Sequence, residues 1–146
     1  MSSHLVDLEQ RAIELKNAGK LKEAAHIFRE IVEQQPDWEH GTAWYNLAEC
    51  HENLQDYESA ESCYGKALEY EPRNPYFLGG LGALLYAKSE FARAFDVHLT
   101  LLEIEQASGS KGGVSRTTTA LKAIGQKMGL SGAEIESRVR DKMSRP

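Results

Sequence analysis

The chain is poor in the residues that most often announce chemistry. Its 146 residues include only two cysteines, Cys50 and Cys63. Two thiols 13 positions apart support neither a disulfide framework nor a zinc site, and read as reduced thiols packed between helices. No apolar run approaches the ~20 residues that a membrane-spanning helix needs. The opening Met1-Ser2-Ser3-His4-Leu5-Val6-Asp7 has no apolar leader core, so the expectation is a cytoplasmic protein that makes no membrane contact. The five histidines (His4, His26, His40, His51 and His98) lack a spacing such as His-x3-His, and neither metal nor cofactor is expected. Cys50 and His51 are neighbours, and on a helix adjacent side chains diverge by ~100°, too far for a nucleophile–base pair. Ser110-Lys111-Gly112-Gly113 has no strand before it, which a phosphate-cradling loop requires. The carboxylates fall on solvated helix faces. Nothing here points to an enzyme.

Composition sets wider bounds. Hydrophobic residues make up 41% and charged residues 27%, as in ordinary globular proteins, and the length fits one domain. The charge is unevenly divided. Residues 1–106 carry 9 Lys/Arg against 19 Asp/Glu, whereas residues 107–146 carry 8 against 3. Such asymmetry can mark a basic tail for an external partner, or a basic end segment resting against an acidic array, and the second is the expectation. No stacking aromatics accompany the basic residues, so no nucleic-acid partner is expected.

What the chain does have is helical periodicity, clearest between Gly41 and Asn74. Trp44, Leu47, Ala48 and His51 recur at steps of three and four. Asn53-Leu54-Gln55-Asp56 interrupts the pattern, and Asp56 is a good cap for a new helix. Tyr57, Ala60, Tyr64, Ala67 and Leu68 restart it, and Pro72 stops it. The pattern recurs. A shift of 36 back from Ala60 reaches Ala24, and 34 forward reaches Ala94. The same shifts align Leu21, Tyr57 and Phe91; Ala12, Ala48 and Gly82; Phe28, Tyr64 and His98; and Pro36 with Pro72.

These columns, with Trp44-x2-Leu47-Ala48, resemble the tetratricopeptide repeat, whose period is ~34 residues. The departure at His51, where that family usually has tyrosine, is small. The resemblance implies an all-α chain, an α-α superhelix of three hairpins at about 5–38, 41–74 and 75–108. Residues 109–146 would then form a flexible loop and a C-terminal capping helix pair in the same domain.

Taken in order, the first hairpin turns at Ala18-Gly19-Lys20. Its second helix faces inward through Leu21, Ala24, Ala25, Phe28, Ile31 and Val32. Two surplus residues precede Trp44; Asp37 is expected to cap an early helix start, and Trp38 to pack on the first repeat. Asn74-Pro75 opens the third repeat, and Ser89 is expected to cap its second helix. Gly82 fits a family column of small residues, but Gly79 and Gly80 have no packing reason. Residues 107–113 read as a mobile loop. Val114, Leu121, Ile124 and Met128 then mark one helix. Ser131 with Glu134 caps another that bears Ile135, Val139 and Met143. This last pair should cover Phe95, Leu102 and Ile104.

The family's inward positions fall on Val6, Glu9, Ile13 and Asn17; on Thr42, Tyr45, Asn46, Glu49 and Asn53; and on Tyr76, Gly79, Gly80, Ala83 and Tyr86. The resemblance implies a non-enzymatic protein–protein interaction module, an adaptor or scaffold, that binds a peptide or helix of a partner protein in a concave groove. The alternative is a small bacterial secretion-type chaperone for a hydrophobic client. The chain itself would be a monomer or weak dimer. The family's carboxylate clamp for acidic chaperone tails would fall on Glu9, Ile13, Asn46, Tyr76 and Gly80. Only Asn46 matches, and inward Glu9 and Glu49 would repel an acidic peptide. An extended or helical segment with apolar anchors and one basic side chain fits better.

Overall fold

The computed structural model describes residues 2–144, and among these the structure is helix and turn with no strand. The α-helices are α1 (Ser2–Asn17), α2 (Leu21–Gln34), α3 (Thr42–Asn53), α4 (Tyr57–Tyr70), α5 (Pro75–Ala87), α6 (Phe91–Ser108), α7 (Lys111–Lys127) and α8 (Gly132–Met143). The chain divides into two compact units, Met1–Phe77 and Leu78–Pro146, and α5 begins in the first and continues in the second. No helix among the described residues is long and apolar enough to cross a membrane.

Three of the repeat columns are buried packing positions. Ala24, Ala60 and Ala94 expose no surface, as is true of Ala12 and Ala48, while Phe28, Tyr64 and His98 are buried. Each of five helices ends in one backbone device. Gly19, Gln55, Ser89, Gly109 and Gly129 adopt φ between 61° and 79°. The following amides of Lys20, Asp56, Glu90, Ser110 and Leu130 donate to the carbonyls of Leu15, His51, Leu85, Glu105 and Gly125, at 2.8–3.0 Å. This Schellman closure satisfies carbonyls that a helix end would otherwise orphan. Ser89 therefore ends α5 and does not cap α6. The residue at the start of α6 is Glu90, which makes no side-chain cap bond but pairs with Lys88 at 3.0 Å and Arg93 at 2.8 Å.

The surplus residues before α3 do not lengthen it, contrary to expectation. Trp38–Gly41 form a 3-10 turn in which Glu39 and His40 are left-handed (φ 49° and 54°). Asp37 makes no cap bond there. Gly41 has φ 98°, and a Cβ on it would lie 2.9 Å from the Ala67 carbonyl oxygen, so α3 starts only at Thr42. The detour has a use. Trp38 is buried, and its Nε1 donates to Glu9 of α1 at 2.9 Å, as its expected packing on the first repeat requires. Asp56 caps α4 through the Ser59 amide at 3.3 Å.

In the second unit, α6 runs on to Ser108 and α7 begins at Lys111, so helix occupies most of the 107–113 stretch expected as a loop. Ser110 caps α7 by accepting from the Gly113 amide at 3.3 Å. Ser131 and Glu134 form the expected capping box of α8. Phe95, Leu99 and Leu102 of α6 are buried with Leu121 and Ile124 of α7 and Ile135 of α8. Ile104, expected beside Phe95 and Leu102, is only half-buried. Its neighbour Glu105 is buried instead and accepts from the Thr117 hydroxyl at 2.5 Å. Helix α7 has no acidic residue in its first turn, so Glu105 brings negative charge from α6 to the positive end of α7. A Cβ on Gly113 would collide with that carboxylate.

Candidate functional site

In the first unit the candidate surface lies on α1, α3 and the start of α5. Val6, Glu9, Ile13 and Lys16 follow at steps of three and four, and so share a face of α1. Val6 and Ile13 stay exposed. Glu9 is held by Trp38. Lys16 Nζ donates to Glu49 Oε1 at 2.6 Å and to Asn46 Oδ1 at 3.0 Å, tying α1 to α3. Lys16 is the residue that the inward list missed. It lies one helical step beyond Ile13, and the same periodicity reaches it.

Tyr45 stands beside this pair. Its ring stacks on Phe77 (centroids 5.3 Å apart, planes 28° apart) and tilts against Tyr64 at 5.9 Å. Burial, and then the carboxylate of Glu49, push the Tyr45 hydroxyl up to about 12. The Tyr64 hydroxyl donates to Glu52 at 2.8 Å. Of the expected residues, Tyr45, Asn46 and Glu49 thus form one network with Lys16. Thr42 is separately engaged, its hydroxyl donating to the Glu39 carbonyl at 2.8 Å. Asn53 is exposed at the end of α3. Tyr76 is 75% exposed, its amide held by the cap Asn74 at 2.9 Å.

Gly79, Gly80, Ala83 and Tyr86 belong to the second unit. A Cβ on Gly79 would meet only Leu101, at 3.9 Å, so the glycine there leaves space that a methyl could fill. Ala83 is exposed, and Tyr86 packs edge-on against Phe91 at 5.4 Å. Gly82 has a steric cause. A Cβ on it would lie 2.5 Å from the His98 ring.

The electrostatics differ from the sequence expectation. Glu49 is paired with Lys16, whereas Glu9 accepts from the neutral indole of Trp38, which balances no charge. Burial pushes the thiols of Cys50 and Cys63 up to about 11, which keeps them as neutral thiols near pH 7. Among the described residues no group of three or more His, Cys, Asp or Glu could hold a metal ion.

Residues 41–74 match the tetratricopeptide-repeat family, and the chain has the fold of the tetratricopeptide-like helical repeats. Among solved structures, the type III secretion translocator chaperone SycD of Yersinia enterocolitica superposes with a TM-score of 0.80 at 21% identity, over 89% of each chain. PcrH, known from Pseudomonas aeruginosa, in complex with the chaperone binding region of PopD, gives 0.80 at 17%, over 88% of this chain and 96% of its own. The TPR2B domain of yeast Sti1 in its pHsp70 complex gives 0.76 at 14%, over 84% and 97%. At such identities the likeness is one of fold. A search of curated proteins finds no match.

Proposed function

We propose that the chain is a non-enzymatic protein–protein interaction module that holds a peptide segment or helix of a partner protein. The observation that carries this is the α1–α3 face. There Val6, Ile13 and Tyr76 remain exposed around a stacked tyrosine and a lysine, amide and carboxylate that are paired with each other. Exposed apolar anchors beside pre-positioned polar groups are the makings of a recognition surface. Glu49 is matched by Lys16 but Glu9 meets only a neutral indole, so the surface suits a segment with apolar anchors and one basic side chain. Gly79, Gly80, Ala83 and Tyr86 form the second unit's own part of the proposed set. Solved relatives that hold peptides, SycD with a YopD peptide among them, support the reading through fold alone.

A second reading, a secretion-type chaperone for a hydrophobic client, is favoured by the extent of the likeness to SycD, which spans 89% of both chains. Copurification identifies the partner. A folded, soluble partner supports the adaptor; a client that aggregates without this chain supports the chaperone. Tyr45→Ala, Asn46→Ala and Tyr86→Ala test the surface itself. The first two and the third, taken from different units, are expected to weaken capture by roughly tenfold or more, as at interface hot spots, with helicity unchanged. Wild-type capture by all three variants would place the binding surface elsewhere.

A further inference from the structure

A second polar cluster shares no residue with that surface. Lys22, His26 and Arg29 follow at steps of four and three on α2 and so lie on one helix face. With His51 of α3 and Asp56 of the α3–α4 turn they line an open cavity of about 390 Å³ floored by Ala25 and Leu54. Arg29 Nη2 lies 3.3 Å from His51 Nε2, so that nitrogen accepts and the ring proton sits on Nδ1, 3.6 Å from Asp56 Oδ2. Asp56 is the one carboxylate in the lining, and its other oxygen already caps α4.

This gathering runs against the local charge balance. The first unit has 7 Lys/Arg and 15 Asp/Glu, yet two of those cations and two imidazoles face one cavity. Lys22, His26 and Arg29 are exposed, so core packing does not explain them. An arginine fork, an ammonium group and the imidazole of His26, with His51 gaining an Nε2–H donor when an anion draws a proton to it, match a tetrahedral oxyanion in a space of this size.

We propose that the α2–α3 cavity binds a phosphate group through Lys22, His26, Arg29 and His51. The phosphate is either carried on a phosphorylated side chain or part of a small molecule. His51 responds to it. Burial holds its protonation below the ordinary histidine range; Asp56 opposes that effect and Arg29 adds to it. An anion placed between Arg29 and His51 reverses the balance and favours the imidazolium.

The test is an NMR titration of the imidazole resonances in the full chain, with inorganic phosphate against chloride at equal ionic strength. Saturable shifts at His26 and His51 are expected, with the titration midpoint of His51 rising. Lys22→Gln/Arg29→Gln should bind phosphate roughly tenfold or more weakly, because charge-assisted bonds are lost, with its circular dichroism unchanged. Lys22→Gln alone serves if the double variant folds poorly. Parallel titrations with a phosphoserine peptide and with AMP identify the source, since the tighter ligand names it and equality with inorganic phosphate points to the free ion. Shifts no larger than chloride produces, or shifts undiminished in the variants, would overturn the proposal.

Discussion

Where helices of the first unit cross closely, the contact residue is alanine; in the second unit glycine takes that place three times. Ala12, Ala24, Ala43, Ala48, Ala60 and Ala67 expose no surface. Gly82, Gly113 and Gly125 instead sit where a Cβ would run into His98, Glu105 and Ile135. Alanine is the best helix former, whereas each glycine costs about 1 kcal/mol relative to it. The first unit therefore combines close approach with helix propensity. The second gives up propensity so that a ring, a carboxylate and a branched chain can press against a bare backbone.

The largest expected effect tests whether the second core closes despite its glycines. Phe95 is wholly buried, with the Arg138 guanidinium 5.8 Å from its ring centroid. Phe95→Ala should destabilise by about 3–5 kcal/mol, and Phe28→Ala, at an equally buried ring of the first unit, by a similar amount. Chemical denaturation measures both. A Phe95→Ala cost near that of a surface substitution would mean that α7 and α8 are not packed on α6 as described.

Next come the crossings themselves. The His98 ring is pinned by its Nδ1–H donating to the Ala94 carbonyl at 2.8 Å, so it cannot retreat from a new methyl. Gly82→Ala should lose about 1–2 kcal/mol, overpacking outweighing the gain in propensity. Ala60→Leu should cost about 1–3 kcal/mol for the same reason. Gly125→Ala meets both Cδ1 and Cγ1 of Ile135, at 2.5 and 2.6 Å, and this buried β-branched side chain is stiff at χ1, so it too should lose about 1–2 kcal/mol. Gly79→Ala has room and should stabilise by about 0.5–1 kcal/mol. If Gly79→Ala proved the worst of these in thermal melts, the steric ordering would be wrong.

The smallest effects concern pH, and apart from Glu90, whose carboxyl Arg93 and Lys88 hold below its ordinary value, they belong to the first unit. His51 and Asp56 have protonation held down in the folded state. The unfolded chain takes up those protons first, so stability is present above the ordinary values and is lost as pH falls, from about 6.5 for His51 and lower still for Asp56. Cys50 and Cys63 ionise only near 11 when folded. The unfolded thiols ionise at about 8.5, so stability falls as pH rises from there toward 11. Melting temperatures across pH 4–10 and the rate of thiol labelling follow both limbs. Rapid labelling of both cysteines in the native protein near neutral pH would contradict their burial.

The hairpins were legible because an amphipathic helix repeats its apolar face every three or four residues, and that rule needs only neighbours along the chain. For the same reason Asp56 and the Ser131–Glu134 box could be recognised as caps. Of the candidate surface, Tyr45, Asn46 and Glu49 were found by their place in a repeating helix, but the charge they present was not. Lys16 lies 33 residues from Glu49, and no local pattern says that a lysine will reach that far across to another helix.

The sequence by itself determined the helical class, the repeat period, the helix ends set by local caps and the position of every small-residue column. Tertiary structure alone decided which polar groups are partnered, since the Lys16–Glu49 ion pair and the Thr117–Glu105 hydrogen bond each join different helices. It also decided that Glu39 and His40 turn left-handed so that Trp38 can reach Glu9, a detour forced by the close approach of Gly41 to Ala67. Propensity and periodicity act over one or two helical turns. Pairing between helices depends on the distance at which they pack, and the side chains that fill that space are set together rather than one at a time.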